Sequence, residues 1–221
     1  MENFFTEAFG KLENQEDFYK TVFMNMSSPE AGKLRVAYYA SKMKHMGSNV
    51  TIGAGVKIVN PEFISLGDNV RICDGVTLIA RGAGGIEIDD GARLQDRVYI
   101  DTESPDHGYV RIGKRVYIGT GTTLFGHLGL EIGDDSLLAQ NITITPYSHI
   151  FEDPDEVIIR QGGNMRKVVL GRDCYIGMNV CILYSADIGD KAVVGSGSAV
   201  WRSRRKSGTC YKVQGREEIR K

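Results

Sequence analysis

The sequence predicts an all-β solenoid: a parallel β-helix of about seven coils, with an α-helical cap before it and one long excursion loop. The first observation behind this prediction is an aliphatic residue at every sixth position of the segment 170–200. An α-helix repeats its apolar face about every 3.6 residues and a free strand about every 2, so neither explains this spacing. Three hexapeptides complete one triangular coil, and we expect these side chains to point inward: Leu170, Ile176, Ile182, Ile188, Val194 and Val200.

The second observation is that the same register extends back toward the N-terminus. At a strand spacing of about 4.8 Å, the coils would stack into a prism roughly 30 Å tall. A small or β-branched residue occupies the fifth place of each late hexapeptide, which suits a narrow interior: Cys174, Val180, Ala186, Ala192 and Ser198. The earlier inward positions are Ile52, Ile58, Leu66, Ile72, Leu78, Ile88, Leu94, Ile100, Ile112, Ile118, Leu124, Ile132, Leu138 and Ile144.

The first 47 residues lack the hexapeptide register and are predicted to form the helical cap. Aromatic and aliphatic residues recur at helical spacing between Phe4 and Phe23. A second helix is predicted to start at Ser28 and Pro29 and to run to Gly47, with His45 at its end. We expect this segment to cover the open first coil, which solenoids require, rather than to wall an acceptor site. The predicted domains are 1–47 as the cap, 48–202 as the β-helix with its excursion loop at 150–169, and 203–221 as a basic tail.

Composition narrows the classes of function. The formal net charge of −1 argues against bulk attraction to nucleic acid or to a membrane. The charged first residues contain neither a signal-peptide core nor an apolar span, so we expect a cytoplasmic protein without membrane insertion. Cysteines 73, 174, 181 and 210 show no metal-binding or redox spacing, and we expect buried, reduced thiols.

Interruptions of the register indicate where function lies. Extra residues follow Leu78, Ile100 and Leu124, and about twenty more leave the register after the hexapeptide that begins at Ile144. Insertions in a solenoid form loops on one face and often carry the binding site. His149 is the last residue before the longest insertion, which makes it the leading catalytic candidate.

Three segments carry a resemblance to a known family: NPEFISLGDNV at 60–70, SHIFEDPDEVIIRQGG at 148–163 and the repeat at 170–200. Together they resemble the hexapeptide-repeat acyltransferases, and the second segment is most similar to bacterial polysaccharide and sugar O-acetyltransferases. The resemblance implies a left-handed coil, a homotrimer, and acetyl-CoA bound between neighbouring prisms. It also implies transfer of an acetyl group to a sugar or polysaccharide hydroxyl.

The resemblance assigns roles to individual residues on the acceptor side. The catalytic histidine of the family falls on His149, whose neutral imidazole would act as the general base. Tyr147 stands where polysaccharide-acetylating relatives often carry a second histidine, and we expect it to contact the acceptor. His127 corresponds to a region that contacts the acceptor. Asp153 and Gln161 either shape the loop or contact a sugar.

On the cofactor side, the family positions that line acetyl-CoA fall on Met178, Ser196, Trp201 and Arg202. The basic run that follows contains Arg205, which either meets the phosphates of the cofactor or belongs to a solvated tail. No metal is expected.

Three alternatives stay open. In the first, the acceptor is an amino group of an amino sugar or a xenobiotic. His107, His127 and His149 come from successive coils and would have to converge for a zinc hydratase of the γ-carbonic-anhydrase type. A non-catalytic scaffold would bind no acetyl-CoA.

Overall fold

The computed structural model describes residues 22–201, together with the backbone of residues 209–211 and 217–219. The predicted first helix lies almost entirely outside these residues, as do Arg202 and Arg205. Within the described part, the chain is a parallel β-solenoid of about seven turns that matches a left-handed β-helix, as predicted.

The second predicted helix is confirmed at its start and is shorter than expected. Helix α1 spans Pro29–Ala40, and the Ser28 hydroxyl caps it by accepting a hydrogen bond from the Ala31 N–H at 3.1 Å. The prediction that His45 ends this helix is wrong, because His45–Met46 already forms strand β1 of the solenoid. Backbone hydrogen bonds from Lys44 to Pro61 (3.2 Å) and from Gly47 to Leu66 (2.8 Å) draw this segment into the first coil.

Arg35 attaches helix α1 to the solenoid. Its side chain is buried, and its Nε donates to the carbonyl of Ile52 at 2.9 Å. Its Nη1 donates to the carbonyls of Phe23 and Met26 at 2.9 and 2.7 Å. One guanidinium therefore joins the helix, the segment before it and the first coil.

The solenoid has three parallel faces, whose strands are numbered in chain order. A short 3₁₀ helix, Pro61–Phe63, precedes one strand of sheet 1. Sheet 1 contains β1, β4 (Ile64–Leu66), β7 (Ile86–Ile88), β10 (Val110–Ile112), β13 (Leu130–Ile132), β18 (Val168–Leu170) and β21 (Asp187–Ile188).

Sheets 2 and 3 form the other two faces. Sheet 2 contains β2 (Thr51–Ile52), β5 (Arg71–Ile72), β8 (Arg93–Leu94), β11 (Tyr117–Ile118), β14 (Leu137–Leu138), β19 (Tyr175–Ile176), β22 (Val193–Val194), and then β24 (Thr209–Tyr211) and β25 (Glu217–Ile219), which pair with each other antiparallel. Sheet 3 contains β3 (Lys57–Val59), β6 (Thr77–Ile79), β9 (Tyr99–Asp101), β12 (Thr123–Phe125), β15 (Thr143–Ile144), β20 (Cys181–Ile182) and β23 (Ala199–Val200).

The interior is the predicted column of aliphatic side chains. All the predicted inward positions are buried except Ile58, which is partly buried at the cap end. The predicted small positions from Cys174 to Ser198 are buried as well. The prediction of buried thiols is wrong for Cys181, which is exposed because it precedes the inward Ile182 and points away from the prism. Cys73 is half-buried.

Side-chain oxygens link successive coils at the corners, where a backbone N–H has turned away from the strand ladder. Oδ1 of Asp74 accepts the N–H of Ala54 at 2.8 Å, and Oδ1 of Asp134 accepts the N–H of Lys114 at 2.8 Å. Such bonds satisfy corner groups that the sheets leave without partners.

The insertions share one corner of the prism, between sheet 3 and sheet 1. The segments 80–85, 102–109, 126–129 and 145–167 each connect a strand of sheet 3 to the next strand of sheet 1. We call this edge the loop corner. The sequence prediction that the insertions lie on one face is confirmed, and this edge holds His149.

Replacing Arg35 with methionine should destabilise the fold, because one buried and two partly buried hydrogen bonds to carbonyls would lose their donor. We expect a loss of about 3 kcal/mol of unfolding free energy, measured by denaturant titration. Lys33→Met, an exposed change on the same helix, is the control. Equal effects of the two changes would contradict the role given to Arg35.

Candidate active site

His149 lies on a small hairpin that leaves the prism at the loop corner. Strand β16 (Tyr147–His149) pairs antiparallel with β17 (Gly163–Met165), and His149 is opposite Gly163. We predicted that the excursion starts after His149, but it starts at Tyr147. Pro146 has no N–H to continue the coil-to-coil ladder, and the hairpin satisfies the departing backbone instead.

A cavity of about 420 Å³ opens beside His149. Its wall combines the hairpin with the next two turns of the loop corner, so the imidazole faces a mostly apolar hollow with a few polar groups. Trp201, 66% exposed, lies across it at the end of sheet 3. The lining residues are Tyr147, Ser148, His149, Phe151, Glu152, Asn164, Leu183, Tyr184 and Trp201.

Four aromatic and imidazole rings contact one another in sequence along the loop corner, from Phe125 to His149. Phe125 stacks on His127 with ring centroids 5.9 Å apart, and His127 is 5.1 Å from Tyr147. Tyr147 meets His149 edge-on at 4.9 Å, and its Oη is 3.4 Å from His149 Nδ1. We call these four residues the corner column. It connects two of the predicted acceptor residues, His127 and Tyr147, to the predicted base.

His127 is in an environment that favours the neutral imidazole. Burial lowers its pKa below the ordinary value of 6.5, while the carboxylates of Glu103 and Asp101 oppose this shift. Asp101 is itself fully buried and accepts two hydrogen bonds from Arg81, at 2.7 and 2.6 Å. Tyr99 Oη also donates to it, at 3.1 Å. Sequence reasoning missed this carboxylate, which the inserted residues around Arg81 enclose.

The side chain of Gln161 stabilises the excursion loop through hydrogen bonds to the backbone of the same loop. Its Nε2 donates to the carbonyls of Asp153 and Glu156 at 2.9 and 2.8 Å, and its Oε1 accepts the Asp153 N–H at 3.1 Å. Of the two roles predicted for Gln161 and Asp153, these bonds favour shaping the loop. Neither residue lines the cavity beside His149.

The predicted cofactor residues separate into two places. Trp201 shares the cavity with His149, whereas Met178 and Ser196 lie at the corner between sheets 2 and 3. Ser196 Oγ accepts the Met178 N–H at 3.1 Å, a bond of the same kind as those from the corner aspartates. Within one chain, this hydrogen bond between successive coils therefore accounts for a serine at position 196.

Sequence reasoning also missed six cavity residues: Ser148, Phe151, Glu152, Asn164, Leu183 and Tyr184. Leu183 and Tyr184 directly follow the inward Ile182, so their place at the loop corner was readable from the register. The place of Asn164 depends on the hairpin pairing, which the hexapeptide pattern does not encode.

In the part of the chain that the structure describes, His107, His127 and His149 belong to no group of three or more His, Cys, Asp or Glu side chains that could hold a metal ion. Among residues 22–201, no helix combines the length and hydropathy needed to span a bilayer.

Comparison with known proteins adds family information. Residues 109–146 and 167–202 match the family model for the hexapeptide repeat of succinyl-transferase. The chain is 30% identical to a probable acetyltransferase of Mycobacterium tuberculosis over 145 residues, 65% of this chain and 47% of that protein. It is also 30% identical to galactoside O-acetyltransferase of Escherichia coli over 115 residues, 51% of this chain and 53% of that protein. The chain thus spans about half the length of these two relatives.

Among solved structures, the chain is similar to AntD, an N-acyltransferase from Bacillus cereus, in complex with dTDP and 3-hydroxybutyryl-CoA. The two share 23% sequence identity with a TM-score of 0.58, over 90% of this chain and 92% of that one. This likeness is one of fold.

The pKa of His127 can be tested directly by NMR titration. We expect a value below 6.5, and a further decrease in Glu103→Gln, because that change removes a carboxylate that raises the pKa. Since the folded-state pKa is lower than the unfolded-state pKa, His127 should reduce stability as the pH falls from the unfolded value to the folded one. A titration midpoint above 6.5 would contradict the environment described here.

Proposed function

We propose that this chain belongs to the hexapeptide-repeat acyltransferases and that it transfers the acetyl group of acetyl-CoA to a hydroxyl of a sugar or polysaccharide, with His149 as general base. The observation that carries the proposal is the shared cavity of His149 and Trp201 at the loop corner. An exposed imidazole beside an apolar hollow provides a base and a surface for a thioester in one place.

The chemistry needs one proton acceptor and one donor to the developing oxyanion. The acceptor hydroxyl would lose its proton to neutral His149 as its oxygen attacks the thioester carbonyl carbon. The C–S bond then breaks, and the imidazolium returns the proton to the thiolate of CoA, so that the products are the acetylated acceptor and free CoA. The side-chain amide of Asn164 lines the same cavity and is suited to donate to the oxyanion.

The two substrates would approach His149 from different sides of the cavity. Leu183, Phe151 and Trp201 offer apolar surface for the pantetheine arm and the thioester. On the other side, Tyr147 and His127 of the corner column would contact the acceptor, since aromatic faces suit the apolar face of a sugar ring. Asp153 and Gln161 would support the acceptor side through the loop they hold.

We also propose a homotrimer that binds acetyl-CoA between neighbouring copies. Met178 and Ser196 lie at a different corner from His149, and a site between copies can combine two corners. Exposed apolar side chains on the excursion loop supply surface that a neighbour would cover, with Phe151 at 65% and Ile159 at 85% exposure. Arg202 and Arg205 would meet the cofactor phosphates from the chain that follows Trp201. We assign the enzyme to the cytoplasm as part of the same proposal.

Acyl transfer to an amino group is the second candidate. The chain is similar in fold to an N-acyltransferase over nine-tenths of its length, and the same base can serve an amine. The acceptor is what separates the two candidates.

The proposal predicts that His149→Ala lowers acceptor-dependent thiol release from acetyl-CoA by about 10²- to 10⁴-fold, because the general base is lost. The assay uses sugars, glycan fragments and nucleotide-linked amino sugars as acceptors. His107→Ala, which changes another histidine of a loop-corner insertion outside the cavity, should leave the rate unchanged. Full activity of His149→Ala would reject the base assignment, and products acetylated only on nitrogen would reject O-transfer.

The trimer is tested by light scattering coupled to size-exclusion chromatography. We expect a mass three times the 24.4 kDa of one chain. Replacing exposed Ile159 with aspartate should lower that mass if the loop is covered by a neighbour, whereas Lys57→Asp, an exposed change on sheet 3 near the cap, should not. A monomeric wild type with full activity would contradict this part of the proposal.

A further inference from the structure

Tyr147 is held on three sides at the point where the hairpin leaves the prism. Its ring is 5.1 Å from His127 below and 4.9 Å from His149 beyond it. The third side is the backbone of Gly163 on the opposite strand. The half-buried phenol ring is therefore held in one position between these three groups, which we call its seat. Its hydroxyl lies beside the imidazole of His149.

Gly163 makes this seat possible. A Cβ placed on Gly163 would overlap the Oη, Cζ and Cε2 atoms of Tyr147, and these are its three nearest neighbours. The neighbouring Gly162 differs, since its φ of +79° demands glycine while nothing lies within 4 Å of its Cβ position. Gly163 has no such backbone reason, so the ring of Tyr147 accounts for the absence of a side chain there.

The position of the Tyr147 hydroxyl bears on which nitrogen of His149 carries the proton. Tyr147 Oη is 3.4 Å from Nδ1, a long contact that shortens with a small rotation of either ring. The contact has two possible directions. If the phenol donates to Nδ1, the ring proton is on Nε2; if Nδ1–H donates to the phenol oxygen, Nε2 keeps its lone pair and can accept a proton, as a general base must. A neighbour that selects one tautomer in this way sets both the direction and the readiness of the base.

We propose that Tyr147, seated by Gly163, is a positioning residue that holds His149 in the Nδ1–H tautomer with Nε2 free for catalysis. This inference rests on the proposed role of His149 as general base. According to this inference, Tyr147 orients the base His149 in addition to contacting the acceptor. Gly163 acts on the reaction indirectly, through the position of the Tyr147 ring.

The direct test is the tautomer of His149, read from the ¹⁵N shifts of its ring at alkaline pH, where the ring is neutral. In the wild type we expect the proton on Nδ1. Tyr147→Phe keeps the ring but removes the oxygen, and should move the population toward Nε2–H. Tyr117→Phe, on the outer face of sheet 2, is the matched control and should change nothing. An unchanged tautomer in Tyr147→Phe would overturn the proposal.

Kinetics provide the second readout. Tyr147→Phe should lower kcat by about ten-fold with KM changed less than about two-fold, because the base is disturbed and the acceptor surface is kept. Gly163→Ala should lower kcat at least as much, since its methyl group would push the ring from its seat. In a Tyr147→Ala background, Gly163→Ala should add less than a two-fold effect. An equal loss in both backgrounds would show that Gly163 acts independently of Tyr147.

The outcomes also separate this inference from the proposed function. Full activity in His149→Ala would remove the base and therefore the proposed function, whatever the tautomer does. Loss of activity in His149→Ala with an unchanged tautomer in Tyr147→Phe would keep the base and reject the positioning role. Thermal melting of each variant distinguishes loss of the seat from loss of the fold, because Gly163 lies on a hairpin outside the prism.

Discussion

The structure depends on in-register stacking of short parallel strands around an aliphatic column. Each coil donates its strand N–H groups to the next coil, so an extra residue inside a strand would break bonds on both sides. Extra residues are tolerated where the backbone has already turned, and here they gather at the corner between sheets 3 and 1. That constraint places loops from successive coils above one another, and it builds a site from segments far apart in sequence.

Stacking at the loop corner brings ring side chains from different coils into contact. Phe125, His127 and Tyr147 form a continuous row that leads to His149, because Phe125 ends a strand of sheet 3 and the other two lie shortly after such strands. His127 is half-buried, and burial lowers the pKa of its imidazole, whereas His149 is exposed beside a cavity. In the proposed reaction both histidines would act on the acceptor, His149 as the base that takes its proton and His127 as part of the surface that contacts it.

The repeat made most of the fold predictable. A period of six identifies the inward side chains one by one, and the positions from Leu66 to Val200 are buried as expected. The same pattern predicts that His149 lies at the largest interruption of the repeat, and the structure places it there, on the hairpin that begins at Tyr147. The prediction of buried thiols is wrong for Cys181, although its place before the inward Ile182 implies an outward side chain. The repeat does not indicate that His45 lies in a strand, or that Tyr147 and Gly163 lie in a hairpin, because these residues are outside the hexapeptide register.

The most direct test of the account is a crystal structure of the protein with CoA and an acceptor sugar. We expect the sulfur of CoA in the cavity between Trp201 and the hairpin, with an acceptor hydroxyl or amine within hydrogen-bond distance of His149 Nε2 and with Tyr147 Oη on Nδ1. CoA sulfur lying away from the loop corner, for example in the charged groove along sheet 1 beside Arg111, would contradict it.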